Sequence, residues 1–111
     1  MDNTAFVKEV IDLTNEFRAK NGLDPLSVDV DLTEAAQKHS ASMAKQDFFS
    51  HTGPNGSKPK DRAKSAGYET QSVGENIAAG YRTPQDVVDG WIASSGHRRN
   101  MLNSKYNEIG V

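Results

Sequence analysis

The chain has 111 residues, of which 35% are hydrophobic, a net charge of −2 and no cysteine. This length fits one domain with a modest core, and the lack of cysteine excludes disulfides and thiolate metal sites. The charge argues against general affinity for nucleic acid, and no run of about 18 apolar residues is present to span a membrane. The first residues do not resemble a signal peptide, which indicates either an intracellular protein or the mature part of an exported one.

Two amphipathic helices are predicted in the first half of the chain. Residues 4–20 carry apolar side chains at helical spacing: Phe6, Val10, Leu13 and Phe17. Asn21-Gly22 then favours a left-handed helix end. The second helix is expected to begin near Asp31, whose side chain can cap the first turn. His39 falls on the inward stripe of this helix, where a packed histidine is more common than a functional one.

The second half of the chain predicts shorter elements. Ser57 and Pro59 favour the start of a third helix that ends at Gly67. Residues 70–79 are predicted as a strand, although Gly74 and two alanines weaken that interpretation. Thr83 and Pro84 favour a fourth helix, because threonine caps well and proline suits the first helical position. Its expected buried face is Val87, Val88, Trp91 and Ile92.

The end of that fourth helix and the last strand complete the prediction. Gly96 is expected to end the helix, with a further turn over residues 98–102. An apolar strand is expected from Glu108 to Val111. A strand needs pairing partners to be stable, so this short one predicts that the natural domain continues beyond it.

Three residues outside the predicted core carry useful chemistry. His51 lies in a loop rich in glycine and proline, where a scaffold can hold it at the mouth of a cleft, although a lone loop histidine is more often simply exposed. Glu75 lies in an apolar stretch, so its carboxylate needs a partner, either in a structural turn or in a site. His97 follows the expected helix end, where the negative pole would favour a cation. Its other role would be as a metal ligand or general base.

Two imidazoles and one carboxylate form a ligand set for a divalent metal ion with an open position. His51, Glu75 and His97 lie far apart in the sequence, so their meeting depends on the fold. Ser94 and Ser95 precede His97, but no G-x-S-x-G elbow is present, which argues against a serine hydrolase. The sequence also has no phosphate loop and no dinucleotide fingerprint.

A short basic cluster is formed by Lys58, Lys60, Arg62 and Lys64. A solvated helix face is the ordinary explanation for such a charge run. The alternative is a surface for an anionic polymer such as a cell-wall glycan, or for a lipid head group.

Several motifs occur in a characteristic order: Ser50-His51, Gly74-Glu75-Asn76-Ile77-Ala78, the helix with Trp91, Ser95-Gly96-His97-Arg98, and Glu108-Ile109-Gly110-Val111. On these motifs the chain resembles bacterial SCP-like members of the CAP superfamily (cysteine-rich secretory proteins, antigen-5, pathogenesis-related proteins). The resemblance implies an α+β fold, a three-layer α-β-α sandwich with a central antiparallel sheet. It also implies a secreted or cell-envelope protein, with residues 1–111 forming a single domain that lacks the C-terminal closing strand.

The resemblance also implies a cleft. In larger eukaryotic members two histidines and two glutamates can hold zinc; His51 resembles the first histidine and Glu75 the first glutamate. Ser94 stands where the second glutamate would be, and the second histidine belongs to a later strand absent from this chain. His97 belongs to a bacterial motif and is not its equivalent. A reduced Zn²⁺ site of His51, Glu75 and His97 is therefore expected. The neighbouring candidates for ligand binding are Asn76, Ser94 and Arg98.

These features favour a secreted binding module, for a cell-wall glycan, a peptide or a lipid, over an enzyme. The alternative is a metal-assisted, peptidase-like hydrolase in which His51 and His97 hold the ion while Glu75 acts as base. A lipid or sterol carrier is a further alternative, supported only by scattered apolar residues. A partner chain, or a second copy in an oligomer, could supply the missing strand.

Overall fold

A computed structural model of the protein describes residues 3–69 and 72–111. Its elements in chain order are α1 (Thr4–Lys20), β1 (Ser27–Val28), α2 (Val30–Gln46), α3 (Pro59–Ser65), α4 (Pro84–Ala93), α5 (Ser95–Met101) and β2 (Glu108–Ile109). These elements fall into two compact units. The first unit comprises the chain up to Ser27 together with Ala78–Asn107, and the second comprises Val28–Ile77 and Glu108–Val111.

The first unit is built on α1, α4 and α5. Helix α1 packs against α4, and α4 packs against α5. The predicted helix over residues 4–20 is confirmed, and its apolar stripe supplies Val10, which is 2% exposed. Val88 of α4 and Met101 of α5 are also buried. Each such side chain contributes about 1.5–3 kcal/mol through removal of apolar surface from water, so these helices owe their stability mainly to packing.

A buried arginine joins the end of α1 to the segment after α5. The Arg18 side chain lies in the interior at 2% exposure. Its guanidinium donates hydrogen bonds to backbone carbonyls of Asp24 (2.8 Å), Met101 (2.8 Å), Asn103 (3.1 Å) and Tyr106 (3.3 Å). Burial lowers the pKa of Arg18 from its ordinary value. The carbonyl dipoles compensate the buried charge and fix the turn that follows α5.

The start of α4 follows the prediction, whereas its end does not. Thr83 accepts a hydrogen bond from the Asp86 backbone N–H at 3.1 Å, and Pro84 is the first helical residue. The helix ends at Ala93 instead of Gly96, because Ser94 is extended at φ −102° and ψ 122°. The Ser94 carbonyl then accepts from the Arg98 N–H at 2.8 Å, which starts α5. Gly96 therefore lies inside α5.

The second unit is built on α2 and α3, which pack together. Helix α2 begins one residue before the predicted Asp31, and its cap is Asp29, whose carboxylate accepts from the Leu32 N–H at 2.9 Å. Helix α3 begins at Pro59 as predicted and is followed by Gly67 at φ +106°. His39 is buried, as its inward position predicted. Its Nε2 lies 2.8 Å from the Ser50 carbonyl, and its ring meets Phe48 edge-on at 5.9 Å.

The strands are shorter than predicted. The final strand forms over Glu108–Ile109, but residues 72–79 of the predicted strand 70–79 have no regular structure, and its first two residues lie outside the described ranges. Glycine and alanine offer little side-chain surface for a sheet, which explains this error. The hydrogen bonds Ser27 N–H to Asn107 O and Asp29 N–H to Ile109 O, each 2.9 Å, give a parallel pairing of β1 and β2. The described strands therefore do not form the expected antiparallel sheet.

The segment after β2 is held against α2. Gly110 lies so close to the backbone of Leu32 and Thr33 that a Cβ atom would collide with it. Gln37 of α2 donates a hydrogen bond to the Val111 carbonyl at 3.0 Å. Only glycine permits this approach, so its position in the Glu-Ile-Gly-Val motif has a steric reason.

Candidate functional site

His51 lies on a loop that is braced at several points within the second unit. Helix α2 ends at Gln46 and is followed by Asp47 in the left-handed conformation. The loop then turns back so that the Ser50 carbonyl meets buried His39. The Gly53 N–H donates to the Ser57 carbonyl at 2.9 Å, which closes the far side of the loop. Hydrogen bonds to the backbone on both sides, one from the His39 side chain and one from the Gly53 N–H, therefore hold His51 in place, as expected for a side chain presented by a rigid scaffold.

The structure brings His51 and Glu75 together. His51 Nδ1 lies 2.7 Å from Glu75 Oε1, with side-chain exposures of 50% and 17%. A carboxylate accepts hydrogen bonds, so this contact places a proton on Nδ1. In the neutral imidazole the lone pair then lies on Nε2, which makes Nε2 the atom available to a ligand.

Arg62 completes the cluster from helix α3. Its Nη2 donates to Glu75 Oε2 at 2.8 Å and to the His51 carbonyl at 2.9 Å, and its Nη1 donates to the Ser57 carbonyl at 2.8 Å. Only 13% of the side chain is exposed. The contacts define the His51–Glu75–Arg62 cluster, in which each carboxylate oxygen has its own donor. Glu75 therefore supports the imidazole as an outer-shell partner would.

The role of Arg62 was not predicted. The sequence placed it in a basic cluster with two explanations, a solvated face or a surface for an anion, whereas the structure directs its guanidinium at a carboxylate. The sequence contains one indication of this role: Glu75 lies in an apolar stretch, and such a glutamate needs a cationic or hydrogen-bonding partner. Lys58 of the same cluster donates to Thr52 Oγ1 at 2.8 Å, while Lys60 and Lys64 are exposed.

The other candidate residues divide between the two units. Asn76 is half-buried beside Glu75 in the second unit, while Ser94, His97 and Arg98 belong to the first. His97 is the third residue of α5, so the expected position at a helix C-terminus is wrong and the negative pole of its own helix does not explain it. Arg98 Nη1 donates to the Ile92 carbonyl at 2.9 Å. The meeting of His97 with the cluster stays a prediction.

The chemistry of the cluster can be compared with what zinc requires. His51 Nε2 offers one nitrogen ligand with a carboxylate behind it, whereas a zinc site needs three or four ligands. Among residues 3–69 and 72–111, no group of three or more histidine, aspartate or glutamate side chains is arranged to hold a metal ion. The cluster alone does not fit a complete zinc site, and the set of His51, Glu75 and His97 stays a prediction.

Comparisons with known proteins identify relatives over almost the whole chain. The family model CAP, the cysteine-rich secretory protein family, matches residues 11–111. An uncharacterized protein of Bacillus subtilis strain 168, YkwD, is 43% identical over 108 residues, which are 97% of this chain and 42% of YkwD. The chain therefore spans less than half the length of that relative.

Solved structures show the same fold. An extracellular protein of Bacillus anthracis that contains an SCP domain superposes with a TM-score of 0.94 at 33% identity, over 97% of this chain and 36% of that one. An outer surface protein of Borrelia burgdorferi gives a TM-score of 0.86 at 23% identity, over 99% of this chain and 81% of that one. In the part of the chain that the structure describes, no helix is both long enough and apolar enough to cross a membrane.

Proposed function

Because the chain belongs to the CAP family of cysteine-rich secretory proteins, we propose that it is an extracellular binding module. Its His51–Glu75–Arg62 cluster receives a polar ligand or a divalent metal ion. The description of the Bacillus anthracis protein as extracellular supports the location. The proposed ligands are a cell-wall glycan, a peptide or a lipid, and the proposed architecture of the complete domain is the three-layer α-β-α sandwich of the family.

One observation carries the proposal: both oxygens of Glu75 are engaged, one by His51 at 2.7 Å and one by Arg62 at 2.8 Å. The carboxylate holds the imidazole in one tautomer and makes Nε2 a better electron-pair donor. The imidazole remains half-exposed, so it can be reached from solvent. Such an arrangement suits recognition of a proton donor, or of a metal ion whose remaining ligands come from other groups.

The same observation weakens the hydrolase alternative. In that mechanism Glu75 is the base that removes a proton from water, and a base needs an accessible lone pair. Here Arg62 and His51 occupy both carboxylate oxygens, and only 17% of the Glu75 side chain is exposed. Each carboxylate oxygen keeps a second lone pair, but the low exposure of Glu75 leaves little access for a water molecule, so a binding role fits the cluster better.

Calorimetric titration with Zn²⁺ tests the metal form of the proposal. Wild type should give a saturable heat that His51→Ala abolishes, because Nε2 is the proposed donor. Glu75→Gln should weaken binding by about 10–100-fold, the usual effect of losing an outer-shell partner. If His97 is also a ligand, His97→Ala should weaken binding as well, and if it is not, this variant serves as a matched control.

Identical heats for wild type and His51→Ala would contradict metal binding at this cluster. Thermal unfolding of each variant shows whether the fold persists. Because His51 lies in a loop and Glu75 in an irregular segment, we expect the variants at these two positions to retain the helices of the second unit.

A further inference from the structure

We propose that the first unit carries a site of its own for a small polar molecule with a carboxylate or phosphate group. The site is a surface hollow of about 550 Å³ beside α5, here called the α5 hollow. Its lining residues are Ser95, Arg98, Arg99, Leu102, Asn103 and Ser104. The hollow is wide open to solvent, so a ligand would rest against its lining and would not be enclosed.

The charge of the α5 hollow points to an anion. Its lining holds two arginines and no acidic residue. In the described part of the chain, neither Arg98 nor Arg99 forms an ion pair with a carboxylate. A guanidinium group presents a planar fork of N–H donors that matches the oxygens of carboxylate and phosphate. The hollow therefore presents two cationic donors to solvent.

The remaining lining indicates a hydroxylated ligand. Ser95, Asn103 and Ser104 contribute hydroxyl and amide groups, which exchange hydrogen bonds with polar molecules, and Leu102 provides a small apolar surface. A sugar acid or sugar phosphate combines an anionic group, several hydroxyls and an apolar ring face. This chemistry fits the lining better than a purely apolar molecule does.

Part of the wall of the α5 hollow is held in place before a ligand arrives. Arg98 is fixed through Nη1 by the Ile92 carbonyl at 2.9 Å, which leaves its other N–H groups to bind a ligand. The Asn103 side chain accepts from the Lys105 N–H at 2.9 Å. Buried Arg18 binds the carbonyls of Met101 and Asn103, at 2.8 and 3.1 Å. A preorganised site loses less conformational entropy on binding.

Arg18 also offsets the negative pole of α5, which would otherwise disfavour an anion in the hollow. Carbonyls at the end of a helix form a negative pole that repels anions. The carbonyls of Met101 and Asn103 instead accept hydrogen bonds from the Arg18 guanidinium, which brings a compensating positive charge. The α5 hollow therefore keeps a positive character at the C-terminal end of α5.

NMR titration of the ¹⁵N-labelled protein tests the proposal, with glucose 6-phosphate and glucuronate as probes and glucose as the uncharged control. Either anionic probe should shift the backbone amides of residues 95–104 saturably, and the two probes distinguish phosphate from carboxylate as the preferred group. Arg99→Gln should weaken binding by about tenfold, as expected for one charge-assisted hydrogen bond. Arg82→Gln is the matched control, because this exposed arginine of the same unit lies outside the hollow.

Three results would overturn the proposal: no saturable shifts with either anionic probe, equal binding of glucose, or equal weakening by Arg99→Gln and Arg82→Gln. The dispersion of the amide spectrum shows in the same experiment that each variant is folded. Zinc titration of Arg99→Gln should match wild type, so failure of this site is distinguishable from failure of the His51–Glu75–Arg62 cluster.

Discussion

At the scale of single residues, one carboxylate organises the second unit. Glu75 lies in an irregular segment, and its two oxygens tie that segment to the loop of His51 and to helix α3 through Arg62. The partly buried charge is compensated by the guanidinium, so removing this partner should cost more than breaking an exposed ion pair. The same contacts set the tautomer of the imidazole, so stability and ligand binding depend on the same three side chains.

Replacing Arg62 should therefore affect both properties. Arg62→Gln should lower the free energy of unfolding by about 1–3 kcal/mol, because Glu75 would lose a charged partner. Arg62→Lys should restore only part of this loss, since an ammonium group cannot reach Glu75, His51 and Ser57 with the geometry of a guanidinium. Urea denaturation measures the change.

Lys64→Gln is the matched control for Arg62→Gln, because Lys64 is an exposed cation on the same helix. It should change the free energy of unfolding by less than about 0.5 kcal/mol. Equal losses from the two glutamine variants would mean that Arg62 acts only through the net charge of α3.

The sequence could not show that the Arg62 side chain points towards Glu75, and the reason is physical. Cations alternate along residues 58–64, so charge alone does not say which of them turns inward. The choice depends on Glu75, which is distant in the sequence and lies in no regular element. The approach of His51 to Glu75, in contrast, was anticipated from the motifs that carry both residues.

At the scale of elements, helices were easier to predict than strands. The apolar stripe of α1 and the threonine cap of α4 are local features, and both helices begin where those features predict. The break at Ser94 depends on one extended residue, which no propensity shows. The pairing of Ser27 with Asn107 joins distant parts of the chain in two-residue strands, which are too short to show a period in the sequence.

The link between β2 and the segment after α3 predicts a pH effect. Tyr68 donates a hydrogen bond to Glu108 Oε1 at 2.7 Å, and burial followed by this hydrogen bond raises the pKa of Tyr68 to about 12. The folded chain thus holds the phenol proton more firmly than the unfolded chain, whose tyrosine pKa is about 10. The stabilisation is complete below about pH 10 and is lost as the pH rises towards about 12.

Urea denaturation of wild type and Tyr68→Phe between about pH 9 and pH 12 measures this contribution. The stability advantage of wild type over Tyr68→Phe should shrink across that interval, because phenylalanine has no proton to lose. Tyr81→Phe, at an exposed tyrosine of the other unit, is the control for removing a phenol group. A constant difference between wild type and Tyr68→Phe would rule out this coupling.

At the scale of the whole molecule, the family assignment and the candidate site are supported by different observations. The family model matches residues 11–111, and the Bacillus anthracis structure superposes at a TM-score of 0.94, so membership and fold are secure. The chain spans 42% of YkwD, so the activity of that whole protein does not carry over to this chain. The proposed binding role rests instead on the residues that this chain itself brings together.

The central claim is that Glu75 fixes His51 with its proton on Nδ1 and leaves the lone pair of Nε2 for a ligand. Long-range ¹H–¹⁵N correlation spectra of the neutral imidazole distinguish the two ring nitrogens directly. The account predicts a protonated Nδ1 and an unprotonated Nε2 in wild type, and a shift towards the Nε2–H tautomer in Glu75→Ala. A wild-type spectrum dominated by Nε2–H, or one that Glu75→Ala leaves unchanged, would contradict it.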